Sequence, residues 1–210
     1  SAHCRDIGSM LMQAHVQFDL MHDFRMDSER MRKYPILFIP TGFLASAGAE
    51  DRQMIKDYTA AGGQVIVEEM DSDVLTDLAE FFGINPETTM SEYLTAAYLR
   101  FEDKWAGEST GCDKMAFRGR MAYCRTASCK AAATLVPPFA PIEVVGRPPE
   151  RASIAVPHTD IPLLCENRFG KGSVYLMPFC LDELFSVYHL VQHVEFLENI
   201  IRHAGGMVVE

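Results

Sequence analysis

Two short, unbroken apolar runs, Ile36-Leu37-Phe38-Ile39 and Val65-Ile66-Val67, lie one helix length apart and constrain this chain more than any other feature. A strand with one wet face alternates apolar and polar residues, so a run without alternation demands cover on both faces, as in a parallel sheet. Between the runs, Met54, Ile55 and Tyr58 share one helical face, Ser46 is placed to act as N-cap, Glu50 and Asp51 sit near the positive end, and Gly62-Gly63 stops the helix. After the second run, Val74, Leu75, Leu78, Phe81 and Phe82 form the apolar face of another helix ending at Gly83. Strand, helix, strand, helix predicts a right-handed parallel crossover. The expected fold class is therefore α/β, a doubly wound and mostly parallel sheet. Upstream, Met10, Ala14 and Phe18, with Leu11 and His15 beside them, recur at helical spacing and lead into a predicted short strand over Val16 to Met21.

From Ile84 to Arg151 no clean helical period survives, and Pro137-Pro138, Pro141 and Pro148-Pro149 punctuate its end. This segment, 84–151, reads as an inserted β-rich region of short strands and loops. Ile161 to Cys165 and Val174 to Met177 then predict a hairpin turning at Gly170-Lys171-Gly172. That glycine pair lacks the spacing of a phosphate loop. A last helix is predicted from Asp182 to His203. It bears Leu190, Val194, Leu197 and Ile201 on one stripe and His189, His193, Phe196 and Ile200 on the next, a width that needs covering. The second stripe is the candidate interface. With 210 residues, 48% of them hydrophobic and 23% charged, the chain is expected to form one domain over 1–210.

A formal charge of −10 without any Lys or Arg run argues against nucleic acid as a partner. No stretch of about 18 apolar residues suggests a membrane span. The start at Ser1-Ala2 suggests a processed terminus or a piece of something longer. Cys4, Cys112, Cys124, Cys129, Cys165 and Cys180 are scattered rather than densely paired, which fits a reducing, cytoplasmic compartment.

The succession Val16-Gln17-Phe18-Asp19-Leu20, Tyr34-Pro35-Ile36-Leu37-Phe38-Ile39-Pro40 and Tyr58-Thr59-Ala60-Ala61-Gly62-Gly63-Gln64-Val65-Ile66-Val67 resembles the trimerisation domain of β-galactosidases. So does the ending, Pro162 to Leu176 followed by a helix. Together these segments cover roughly half the chain. The resemblance implies a flavodoxin-like sheet of the class I glutamine amidotransferase type, placed beside a glycoside hydrolase barrel to build an oligomer. It implies as partners either further copies of the chain or a glycoside hydrolase catalytic domain, with a carbohydrate as ligand. The family's first strand precedes the helix that here begins near Ile7, where only Ser1 to Asp6 remain.

Working amidotransferases carry a cysteine on the turn after the strand that is Gln64 to Glu69 here. This chain has Glu68-Glu69-Met70-Asp71-Ser72, without a thiol. Ser72 lacks the Gly-x-Ser-x-Gly surroundings of a hydroxyl nucleophile and reads as an N-cap. Glu68 and Glu69 are neighbours on a strand and point to opposite faces, which is wrong for a glycosidase pair. Asp71 and Asp73 start a helix, where its dipole favours them. Cys112, Cys124 and Cys129 do not have zinc-knuckle spacing, and His189 with His193 lacks a third ligand, so no metal and no cofactor is expected. No catalytic residue is assigned. Two functions stand: a non-catalytic accessory and oligomerisation domain linked to glycoside hydrolysis, and a small-molecule site at the sheet's carboxyl edge around Thr41, Gly42, Met70 and Asp71. A hydrolase with an unorthodox nucleophile is the third and weakest.

Overall fold

Val65, Ile66 and Val67 are wholly buried, and they divide between two separate cores. In the computed structural model, which describes residues 2–21, 26–101, 113–138 and 158–206, they belong to β2 (Gln64–Glu68), which pairs in parallel with β1 (Ile36–Ile39) and β9 (Gly172–Met177). Alternation sends Ile66, Tyr175 and Met177 to one face and Val65, Val67, Val174 and Leu176 to the other. The first face is covered by α1 (Ala2–Gln13), α7 (Leu181–Tyr188) and α8 (Val191–His203). Covering the second are α2 (Ser28–Met31), α4 (Ala49–Ala60), α5 (Ser72–Asp77) and α6 (Ala79–Phe82). Helices on both faces are what the unbroken apolar runs require, and each fully buried aliphatic side chain contributes roughly 1.5–3 kcal/mol.

The rest of the sheet departs from the doubly wound expectation. β8 (Pro162–Phe169) runs antiparallel to β9, followed outward by β7 (Lys130–Val136), β4 (Leu94–Phe101) and β5 (Lys114–Gly119), all antiparallel. The order is β1-β2-β9-β8-β7-β4-β5, a mixed sheet of seven strands rather than a mostly parallel one. Segment 84–151, whose residues 102–112 and 139–151 lie outside those described, thus supplies three strands of the central sheet in addition to a small pair, β3 (Thr89–Met90) with β6 (Ala122–Tyr123). Its strands escaped a helical-period reading because they alternate: β5 buries Met115, Phe117 and Gly119 and exposes Ala116 and Arg118.

Three local expectations are corrected. Val16 to Met21 forms no strand; α1 closes with His15 at a positive φ of 54°, and Phe18 is exposed beyond it. Ser46 ends a separate turn, α3 (Phe43–Ser46), and donates its hydroxyl to the carbonyls of Gly42 and Phe43, while Gly48 caps α4 with its N–H bonded to Asp51 Oδ2. The long last helix is two helices, because His189 takes a left-handed conformation (φ 46°) that closes α7 before Leu190 starts α8. The predicted hairpin is present as β8 and β9. A Cβ on Gly172 would lie 2.0 Å from the Gly63 carbonyl oxygen, so the turn can lie against the end of α4 only with glycine there.

Candidate functional site

The carboxyl ends of β1, β2 and β9 meet where an open α/β sheet ordinarily binds ligands, and this edge carries a cluster of buried acids. Glu68 is 0% exposed and Glu69 is 1% exposed. They diverge, as adjacent strand residues must. Glu68 reaches the start of α7, where Oε1 accepts the main-chain N–H groups of Leu181 (3.1 Å) and Asp182 (3.4 Å). The N-cap residue of α7, Cys180, makes no side-chain capping bond, so a residue from β2 does that work across the sheet edge. Glu69 folds back on its own turn, with Oε1 accepting the N–H groups of Met70 and Asp71, both at 2.9 Å.

Burial is the main cause of the shift at both carboxyls. It holds Glu68 well above the usual range, with nearby Asp182 adding to the effect, and raises Glu69 as well. The second oxygen of each, Oε2, is buried without a hydrogen-bond partner among the described residues. A neutral carboxylic acid fits such a place far better than a carboxylate. Beside them, Thr41 Oγ1 and Cys180 Sγ lie 3.0 Å apart, and burial pushes the Cys180 thiol up, so it stays protonated.

Of the four residues singled out at this edge, Thr41 is half-buried and engaged with Cys180, and Gly42 is exposed in a left-handed turn (φ 79°) with open space where a Cβ would go. Met70 is half-buried on the turn after β2. Asp71, not Ser72, is the N-cap of α5: its Oδ1 accepts the N–H groups of Asp73 (2.9 Å) and Val74 (3.2 Å). The turn is therefore occupied by its own capping bonds. Sequence reasoning named Glu68 and Glu69 only as a mismatched pair and missed Asp182, which is 1% exposed. Their burial depends on where α7 returns to the edge, which no local pattern encodes.

The structure places the candidate interface residues apart. His193, Phe196 and Ile200 are buried, with Phe196 against Phe101 of β4 at 5.2 Å between ring centroids, while His189 is exposed at the bend. Among the described residues neither ring nitrogen of His193 has a partner, and burial, then the neighbouring His189, lowers its pKa to about 4. Exposed apolar side chains gather at the bend, with Val187 66% and Val191 67% exposed alongside Tyr188 and Leu190. Among the described residues no group of three His, Cys, Asp or Glu is arranged to hold a metal, and no helix is long and apolar enough to cross a membrane. Cys112 lies outside the described residues.

No protein-family profile matches the sequence, and no curated protein sequence matches it significantly. Solved structures do share the fold. An α-L-fucosidase isoenzyme 2 from Paenibacillus thiaminolyticus superposes with a TM-score of 0.67 at 14% identity over 97% of this chain and 29% of its own. For a β-galactosidase from Bacillus circulans sp. alkalophilus the values are 0.64 and 13%, over 98% of this chain and 27% of that one. A cytoplasmic protein from Salmonella typhimurium matches at 0.64 and 11% identity, over 94% of this chain and 85% of its own. This chain thus spans less than a third of the two hydrolases but most of the third protein. The β-galactosidase likeness read from the sequence recurs at the level of the fold.

Proposed function

We propose that this chain is a non-catalytic accessory domain that serves assembly, in the manner of a module attached to a glycoside hydrolase. The observation that carries the reading is the carboxyl edge of the sheet, where Glu68, Glu69 and Asp71 are spent on main-chain N–H groups and the turn Met70-Asp71-Ser72 carries no thiol. An acid that caps a helix end and leaves its other oxygen buried is not presented to a substrate. The fold shared with a part of two glycoside hydrolases supports the association with carbohydrate chemistry. An assembly surface fits the exposed apolar bend of Val187, Tyr188, Leu190 and Val191, since Phe196 and Ile200 are used in the chain's own core.

Size-exclusion chromatography with light scattering tests this. A dimer or trimer that dissociates in Val187→Glu or Val191→Glu supports the reading; a monomer at all concentrations that turns over chromogenic glycosides overturns it. A second reading, a small-molecule site at the same edge, draws on the open space beside Gly42 and the half-buried Met70. Thermal-shift titration with neutral sugars and amino acids, repeated in Gly42→Val, separates the two.

A further inference from the structure

The exposed apolar bend runs on, across the neighbouring strand, into a cluster of exposed polar and aromatic side chains. Val187 and Val191 are 66% and 67% exposed, and Tyr188 beside them ends α7. Helix α7 packs on β5, the outermost strand on that side of the described sheet, and Arg118 of β5 donates from Nη1 to the Tyr188 hydroxyl at 3.2 Å. Its guanidinium carbon lies 5.8 Å from the centre of the Tyr93 ring, which is 57% exposed. Glu92 is fixed next to this cluster, because the Ser91 N–H donates to the Met121 carbonyl at 2.8 Å and the Ser91 hydroxyl accepts the Met121 N–H at 3.0 Å. Arg118 and Glu92 are both exposed, and among the described residues neither forms an ion pair.

We propose that the partner at this surface is a second copy of the chain, docked about a two-fold axis so that Arg118 of each copy meets Glu92 of the other while the tyrosines and valines are covered between them. The inference rests on the assembly reading above and names its partner.

Charge decides for a second copy. An unrelated acidic partner would ask only for the arginine, whereas here a cation and an anion without ion pairs of their own stand side by side on one patch, and a two-fold axis brings each against its opposite. A ring of three or more copies would instead place them on two separate patches. At a formal charge of −10 two copies repel at long range, so the contact must come from short-range apolar cover, with the two Arg118–Glu92 pairs fixing its orientation. Arg118 is also prepared for docking. A cation that merely guards an edge strand stands free in water, but this one is laid over one tyrosine and bonded to another, so less side-chain freedom is lost on association. Tyrosine and arginine amid exposed apolar side chains are the residues that carry binding energy at the centre of protein interfaces.

A charge swap tests this. Sedimentation equilibrium is run on the wild type, on Arg118→Glu, on Glu92→Arg and on an equimolar mixture of the two variants, with circular dichroism melts confirming that each is folded. The expected result is a wild-type dimer, a dimer weakened by roughly 30-fold or more in each variant alone, and recovery in the mixture, where each variant supplies the sign that the other has lost. A wild-type dimer that Val187→Glu dissociates but Arg118→Glu and Glu92→Arg leave intact overturns the pairing and leaves the assembly reading standing. A mixture that fails to recover the dimer, or a wild-type trimer, likewise overturns the pairing alone. A wild-type chain that is monomeric at every concentration overturns the pairing together with the self-assembly it presupposes.

Discussion

Removing the Glu68 side chain tests whether the buried acid at the sheet edge is a helix cap. In Glu68→Ala the N–H groups of Leu181 and Asp182 lose their acceptor inside the protein. A buried donor left unsatisfied costs about 1–3 kcal/mol, and relief from holding a desolvated carboxyl offsets part of the sum, so a net loss of about 3 kcal/mol is expected. For a chain of this size that lowers Tm by roughly 6–12 °C. Glu68→Gln keeps an acceptor of the same shape but cannot ionise. The folded pKa of Glu68 lies above its ordinary 4.5, so the unfolded chain gives up the proton first, and wild-type stability falls as pH rises from there towards the folded value. Glu68→Gln is therefore expected to gain on wild type as pH rises above the ordinary glutamate value. Differential scanning fluorimetry across that range reads both effects. An unchanged Tm in Glu68→Ala, or a Glu68→Gln difference that does not move with pH, refutes the capping argument.

His193 titrates with the opposite sign. Its folded pKa of about 4 lies below the ordinary 6.5, so its contribution is full above the higher value and is lost as pH falls towards the lower. Between about pH 7.5 and pH 5 the loss is about 2 kcal/mol by linkage, and urea melts should show His193→Leu losing less than wild type. Gly83→Ala places a Cβ 2.4 Å from Asn167 Oδ1 and 2.7 Å from the Cys129 nitrogen at a φ of 69°, and is expected to cost more than about 3 kcal/mol, seen as loss of soluble protein or of a cooperative melt. His189→Gly relieves the left-handed closure of α7 and should raise Tm by about 2–4 °C, for a gain of about 1 kcal/mol.

The parallel half of the fold was legible in the sequence because its strands are covered on both faces and announce themselves as unbroken apolar runs. The hairpin was legible from the glycines its turn needs. The antiparallel half was not, since β4, β5 and β7 pair with strands far along the chain, and period-two alternation in short segments looks like the absence of a pattern. The break at His189 had no warning, because histidine in place of glycine hides a left-handed closure. At the edge, the turn that carries Met70 and Asp71 follows β2 directly, but the role of Glu68 depends on α7 arriving from over a hundred residues away.

The way those acids are used also bounds what the edge can bind. Helix N-termini at such an edge usually leave N–H groups free for an anion. Here the N–H groups of Leu181 and Asp182 are taken by Glu68, those of Asp73 and Val74 by Asp71, and those of Met70 and Asp71 by Glu69. An incoming carboxylate or phosphate would have to displace these bonds, each worth about 1 kcal/mol, and would meet acids rather than bases. It would also drive Glu68 and Glu69 further from ionisation. A neutral polyol escapes all three costs, since it needs no charge partner. If the edge holds a ligand, these costs therefore weigh against an anion such as a phosphate.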